Sequence, residues 1–287
     1  FNDHFRNGVK GGSDDDVPGF ALGGLGYEEY VILGLEGGIR DFAFQPEESI
    51  QYVTAHDNLI LWDKIIRVLH LEKESRFLDL HDGKLMGLSK HKYKNIEEAV
   101  SESRPYASGE IEHLFLNEAV RRNILAHALV LTAQGVPFLH AGEEFLRTKF
   151  GDHNSYKSPD AINQIRWENK KYFTPVFKYF QGLIAIRKNH PAFRLRTRQE
   201  IGEYFQVLKI EEQLIITGLG PYAGGDSWKD ILCVYNGSME EREVFLPGTG
   251  PWHIVANDTR AGLEVLDVIE SSRIFVSPLA ILIMYKE

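Results

Sequence analysis

A change of pattern near residue 197 limits the folds that are open to this chain. Before it, short apolar segments alternate with stretches of helical spacing, and after it come only short apolar runs separated by Gly, Pro and Asn. Alternating strands and helices are typical of parallel β/α units, whereas closely spaced short strands are typical of an antiparallel sandwich. The sequence therefore predicts an α/β part over 1–197 and an all-β sandwich domain over 198–287.

The first part contains five segments that follow the β/α pattern. Apolar residues at helical spacing predict helices over 27–35, 116–131 and 174–188, each followed by a stop signal of Gly, or of Asn and Pro. Apolar runs predict buried strands over 49–53 and 136–140. Because parallel β/α units place functional residues in the loops after their strands, the chemistry is expected just after these two strands.

The second part contains seven predicted strands: 205–210, 214–218, 230–235, 243–246, 252–256, 273–276 and 280–285. Its aromatic residues Tyr222, Trp228 and Trp252 could form a sugar-binding surface, but the alternation of apolar and polar residues favours a place in the core.

The composition narrows the class of partner. A net charge of −9 and a pI near 5.7 supply no clustered cationic surface for a phosphate backbone, so no nucleic acid is expected and a neutral ligand is more natural. No apolar run is long enough to span a membrane, so the chain is expected to be soluble.

The start of the chain and its single cysteine carry two further expectations. Phe1-Asn2-Asp3 is typical of a strand end entering a polar loop, and without an initial Met it favours an internal start, that is, a fragment. Cys233 lies in an apolar run and is expected to be buried. Because a single cysteine cannot form an intrachain disulfide, the sequence does not distinguish a cytoplasmic from a secreted protein.

A local motif follows the first predicted strand. The segment is YVTAHDN (52–58), which places His56, Asp57 and Asn58 directly after the strand. A barrel would aim such residues into the mouth of its active site, whereas a lone His-Asp pair is more often a turn or a cap. The motif alone leaves both readings open.

Two further segments give the motif a context: GVPFLHAGEEF (135–145) and DHNSYKSPDAINQIRW (152–167). Together with 52–58 they resemble the seventh and eighth strands, with their loops, of the catalytic (β/α)8 barrel of type I pullulanases in the α-amylase superfamily (glycoside hydrolase family 13). Phe1-Asn2-Asp3 matches the end of the sixth strand, and 198–287 match the all-β domain after the barrel. The resemblance implies a retaining debranching hydrolase acting on α-1,6 linkages of pullulan, starch or glycogen.

The resemblance also assigns roles to residues. It implies that Asp57 hydrogen-bonds the sugar hydroxyls at the scissile bond and that His56 assists, so both stabilise the transition state. A retaining glycosidase also needs a nucleophilic carboxylate and an acid about 5 Å apart. In the family these follow earlier strands, which have no counterpart here. The expected partners are therefore an α-glucan and an N-terminal fragment that completes the barrel, with no cofactor required.

The loop over 152–167 is expected to lie beside the donor-side sugars. Its polar and aromatic side chains could grip hydroxyls or stack on sugar faces, or they could merely fix the loop. Trp62 could supply a stacking platform, although a core position is equally compatible with its context. The predicted substrate-binding residues are Asn58, Trp62, Asn154, Tyr156, Asp160, Asn163 and Arg166.

Other interpretations start from different residues. Glu143 and Glu144 are adjacent, so they are poorly placed to flank one glycosidic bond. A metal site built on His140, Glu143 and His153 would make the chain a metal-dependent hydrolase, but a structural loop is favoured and no metal is predicted. The acidic run at 14–16 could hold calcium, although a solvated loop is favoured. A non-catalytic glucan-binding unit is the remaining alternative.

Overall fold

The computed structural model describes residues 1–70, 111–248 and 250–287, and says nothing of the side chains of 111–113; residues 71–110 of the predicted α/β part lie outside it. The helices are α1 (Asp3–Lys10), α2 (Glu28–Leu35), α3 (Leu61–Val68), α4 (Glu118–Thr132), α5 (Asp160–Asn163), α6 (Asn169–Tyr172), α7 (Thr174–Asn189) and α8 (Arg198–Tyr204). The strands are β1 (Ile50–Gln51), β2 (Val136–Pro137), β3 (Phe205–Glu211), β4 (Leu214–Leu219), β5 (Asp230–Asn236), β6 (Arg242–Phe245), β7 (Trp252–Ala256), β8 (Asp267–Ile269), β9 (Arg273–Val276) and β10 (Ala280–Lys286).

The three predicted helices are present as α2, α4 and α7, while the beginning of the chain differs from the prediction. A helix, not a polar loop, starts at Asp3, because the Asn2 side chain caps it by accepting a hydrogen bond from Phe5 N at 2.9 Å. Asn2 itself still runs beside β1, since its N–H donates to Ile50 O at 2.9 Å. The chain therefore turns from an extended residue directly into α1.

The two predicted strands of the first part are shorter than expected. Only two residues of each form a ladder, and Val136 is 43% exposed, so the prediction of a buried strand over 136–140 was wrong. No complete barrel sheet is present among the described residues.

The predicted antiparallel arrangement of the all-β part is confirmed. Its strands form a six-stranded sheet in the order β3-β4-β5-β10-β7-β8 and a two-stranded sheet of β6 and β9. Strand β8 was not predicted. Trp252 is buried between the two sheets, and Trp228 is buried with its ring stacked on His190 and Tyr285, whereas Tyr222 is 51% exposed and the expected core position was wrong for it.

The six-stranded sheet is apolar on both faces. On β10, Leu282 and Met284 pack with the two-stranded sheet, while Ile281 and Ile283 belong to the main core, which they share with the helices of the first part. Cys233 is buried on that same face, as predicted. The chain is thus layered as helices, sheet, sheet, and among the described residues no helix has the length and apolar character to cross a membrane.

Candidate functional site

The parallel pair of β1 and β2 brings the predicted functional loops to one edge. Phe138 N donates to Gln51 O at 2.9 Å, so the residues that follow the two strands leave the pair side by side. Gly135 permits the close approach: its φ is +90°, and a Cβ there would lie 2.7 Å from the backbone oxygens of Pro46 and Ser49.

His56 and Asp57 stand at this edge in full contact with solvent. Their side chains are 84% and 75% exposed, and His56 Nε2 lies 3.3 Å from Asp57 Oδ2. Such exposure leaves both groups accessible to a ligand. It also means that their position depends on how the backbone beneath them is held.

Asp14 holds the turn that follows Asp57. Its carboxylate accepts hydrogen bonds from Asn58 Nδ2 at 2.5 Å and Leu59 N at 3.1 Å, and His153 Nδ1 lies 3.7 Å away. Asn58 has a left-handed backbone with φ of +65°. The Asn58 amide is therefore engaged within the turn, and Asp14, which the sequence suggested only as part of a solvated loop or a calcium site, positions that turn.

The other two acidic residues of 14–16 are exposed but paired with cations of α3. The buried Lys64 ammonium donates to Asp15 Oδ1 at 3.1 Å and to Val17 O at 2.9 Å, and Arg67 Nε bonds Asp16 Oδ1. The loop is thus tied to a helix. Nowhere in the described ranges do three or more His, Cys, Asp or Glu side chains converge as metal ligands would.

The loop over 152–167 divides into an exposed and an engaged set. Asn154, Tyr156 and Asp160 are exposed, with the Tyr156 ring 73% accessible. Asn163 Nδ2 instead donates to the carbonyls of Ser155 and Ser158, at 2.7 and 3.0 Å. The first three remain accessible to a ligand, while the Asn163 amide shapes the loop.

Arg166 and Trp62 are both buried. The Arg166 guanidinium donates to Ala161 O at 2.5 Å and lies 4.7 Å from the centre of the Phe150 ring. Trp62 is 4% exposed and belongs to the main core. Both residues therefore support the site from within.

Asp63 is a buried carboxylate that the sequence did not reveal. It accepts hydrogen bonds from Thr148 Oγ1 at 2.5 Å, Lys149 N at 2.8 Å and Gly151 N at 3.1 Å. Burial raises the pKa of this carboxyl group to about 6, although all three hydrogen bonds act in the opposite direction. Asp63 thereby fastens the turn at 148–151 to α3.

The Lys149 side chain joins the two predicted loops. Its ammonium donates to His56 O and to Ser155 Oγ, both at 2.9 Å. The residue is 4% exposed, and burial lowers the pKa of the amine below its usual value. A single buried cation therefore contacts both the segment of His56 and the loop that begins at Asp152.

Glu143 and Glu144 serve the loop after β2. Glu143 is buried, and its Oε2 lies 2.8 Å from His127 Nε2. Burial acts to raise the pKa of this carboxyl group, but His127, His140 and Thr54 outweigh it, so the pKa lies below the usual value. Glu144 accepts a hydrogen bond from Gly142 N at 2.9 Å. In the described ranges Glu143 does not converge with His140 and His153, which removes the geometric basis of the metal hypothesis.

Comparison with known proteins identifies relatives of this chain. A family model described as pullulanase, all-beta domain, matches residues 201–260. The pullulanase of Bacillus subtilis strain 168 is 34% identical over 263 residues, which is 90% of this chain and 31% of that protein.

Solved structures extend the likeness to the whole fold. Pullulanase from Bacillus acidopullulyticus has a TM-score of 0.80 at 32% identity and covers 100% of this chain, which corresponds to 30% of that protein. Type I pullulanase from Bacillus subtilis strain 168, solved with maltose, has a TM-score of 0.79 at 32% identity over 100% of this chain and 35% of its own. The chain spans about a third of the length of these relatives. It therefore belongs to the pullulanase family and is similar to the C-terminal portion of the type I members.

Proposed function

We propose that this chain supplies the C-terminal part of a retaining glycoside hydrolase that cleaves α-1,6 linkages in pullulan-like or starch-like glucans. In this proposal 1–197 form the end of a (β/α)8 barrel, strands six to eight, and 198–287 form the all-β domain that follows. The names of the relatives and the maltose in one of them support the reaction and the substrate class.

One observation carries the proposal: the exposed carboxylate of Asp57 stands at the carboxyl edge of a parallel strand pair, and the exposed part of the 152–167 loop follows the other strand of that pair. Barrel enzymes place their active sites at this edge. Asp57 accepts hydrogen bonds from two ring hydroxyls and His56 assists. These bonds strengthen as the sugar flattens toward an oxocarbenium ion, so they lower the barrier of the chemical step.

The nucleophile and the acid come, in this proposal, from the part of the protein that precedes Phe1. Within the described part of the chain β2 pairs with β1 alone, which supports this: Val136 is 43% exposed and lines a groove of about 490 Å³ with Pro137, Leu139 and Ile184. An uncovered strand edge beside apolar side chains is a surface that further strands and helices of the same barrel would cover. No metal or other cofactor enters the proposed reaction.

The test is the release of reducing sugar from pullulan by the full-length protein and two variants. Asp57→Asn should lower kcat about 100-fold or more, since the lost contacts form chiefly in the transition state. Asp267→Asn, an exposed carboxylate on edge strand β8, should leave kcat unchanged.

Three outcomes contradict parts of the proposal. Near-normal turnover by Asp57→Asn removes the role of Asp57. Cleavage of pullulan by the isolated 287-residue chain shows that its own residues complete the site. Binding of maltotriose by the full-length protein without any release of sugar favours the alternative of a glucan-binding unit.

A further inference from the structure

We propose that Lys149 is a positioning residue, which holds the backbone carbonyl of His56 against the loop that begins at Asp152 and thereby fixes where the Asp57 carboxylate meets the sugar. This inference rests on the proposed function and adds to it a residue outside the sugar-contacting set.

The contacts of the ammonium define its task. Two of its three protons have acceptors, His56 O and Ser155 Oγ, each at 2.9 Å, and these acceptors belong to different loops. Burial and the nearby Arg147 oppose a cation here, while the carboxylates of Asp63, Asp152 and Asp57 favour it. A buried ammonium between two such acceptors fixes their separation, because neither can move away without leaving it unpaired.

The backbone of Lys149 is itself held rigidly. Asp63 accepts from the N–H groups of Lys149 and Gly151 and from Thr148 Oγ1, and Thr148 Oγ1 in turn accepts from Phe150 N at 2.8 Å. Phe150 has a φ of +56°, a conformation that a bulky residue adopts only when its surroundings impose it. The lysine is therefore anchored to α3, and α3 becomes the reference for both loops.

The consequence for catalysis follows from the exposure of Asp57. Its side chain is 75% exposed, so its place is set by the backbone that carries it. The Lys149 contact is made by the carbonyl of the residue immediately before it. A displacement of about 1 Å in a group that binds the transition state can cost about 100-fold in rate.

The first experiment is a double-mutant cycle on pullulan hydrolysis by the full-length protein. Lys149→Met keeps most of the apolar length of the side chain and removes the ammonium, and should lower kcat roughly 10- to 100-fold. In an Asp57→Asn background the same change should have little further effect, because the group being positioned is already disabled. Lys229→Met, an exposed lysine of the all-β part, is the matched control and should leave kcat unchanged.

The second experiment is independent of catalysis: amide hydrogen exchange of the same variants. Lys149→Met should speed exchange in peptides covering 55–59 and 152–158 and leave 205–219 unchanged. Ser155→Ala, which removes one acceptor only, should give a smaller change in the same direction and serves if Lys149→Met does not fold.

The outcomes separate this inference from the proposed function. Fully multiplicative losses in the cycle, or exchange that is unchanged in both loops, overturn the role of Lys149. If the wild-type protein releases no sugar from pullulan, the proposed function fails, and the inference falls with it even where the exchange data show the lysine joining the two loops.

Discussion

Replacing Asp63 by Asn should remove a specific pH dependence of stability while preserving the local geometry. Asp63 Oδ2 accepts from Lys149 N and Gly151 N, and Oδ1 accepts from Thr148 Oγ1. An Asn carbonyl can take the place of Oδ2, and its NH2 group can donate to the Thr148 hydroxyl, which is able to accept. All three contacts survive without a buried charge, so the folded structure should be retained.

The magnitude follows from the pKa of Asp63. Burial raises it from 3.8 to about 6, so between these values the folded chain keeps a proton that the unfolded chain has released. Stability is therefore lost as the pH rises through this window, by about 3 kcal/mol at about 1.36 kcal/mol per pKa unit. Asp63→Asn lacks this loss, and its free energy of unfolding relative to wild type should rise by about 2 kcal/mol between pH 4 and pH 7, because part of the full change falls below pH 4.

Urea unfolding followed by tryptophan fluorescence at pH 4, 5, 6 and 7 measures this difference. Subtracting the two curves removes the contribution of every other carboxylate. Asp63→Ala is the contrasting variant: it leaves two N–H groups and a hydroxyl without their acceptor and should cost at least about 3 kcal/mol at pH 4. Parallel wild-type and Asp63→Asn curves, or an Ala variant as stable as the Asn variant, would refute the reasoning.

Two further predictions, tested by three substitutions, concern a buried hydrogen bond and the packing of glycines. His127→Ala should destabilise the chain by roughly 3–5 kcal/mol at pH 7, measured by calorimetry, because it leaves the buried Glu143 carboxylate without its hydrogen bond to His127 Nε2; a loss below about 1 kcal/mol would contradict this. Gly182→Ala should lower the melting temperature clearly, since the new Cβ would lie 1.8 Å from Ala261 O, whereas Gly202→Ala, with no atom within 4 Å of the added Cβ in α8, should raise it slightly; equal shifts would contradict the packing.

The fold could be predicted where the sequence carries a local signal. Helices α2, α4 and α7 have apolar spacing and stop signals, and the strands of the all-β part are mostly short apolar runs separated by Gly, Pro and Asn. Helix α3 was missed because its N-cap residue, Ile60, makes no side-chain cap. Helix α8 was not predicted although Thr197 and Glu200 form a capping box, because its seven residues are too few to show a helical repeat and they lie directly before β3.

The site could be predicted only in part for a similar reason. His56 and Asp57 follow a strand, which a contiguous segment can reveal. Asp14, Asp63 and Lys149 act on residues 44, 85 and 93 positions away, and no local pattern encodes such pairs. The sequence therefore indicates exposed candidates such as His56 and Asp57, and the structure is needed to find the side chains that hold them.

The apolar character of both faces of the six-stranded sheet has a consequence for cutting the chain. A truncated chain that ended before β3 would expose the apolar sides of α4 and α7 to solvent. The strands produced on their own would expose the apolar face of the sheet that packs against these helices. Neither fragment has a polar surface where it packs against the other. The all-β part thus keeps the apolar sides of the helices out of water. The helices and the sheet should therefore unfold together in a single thermal transition.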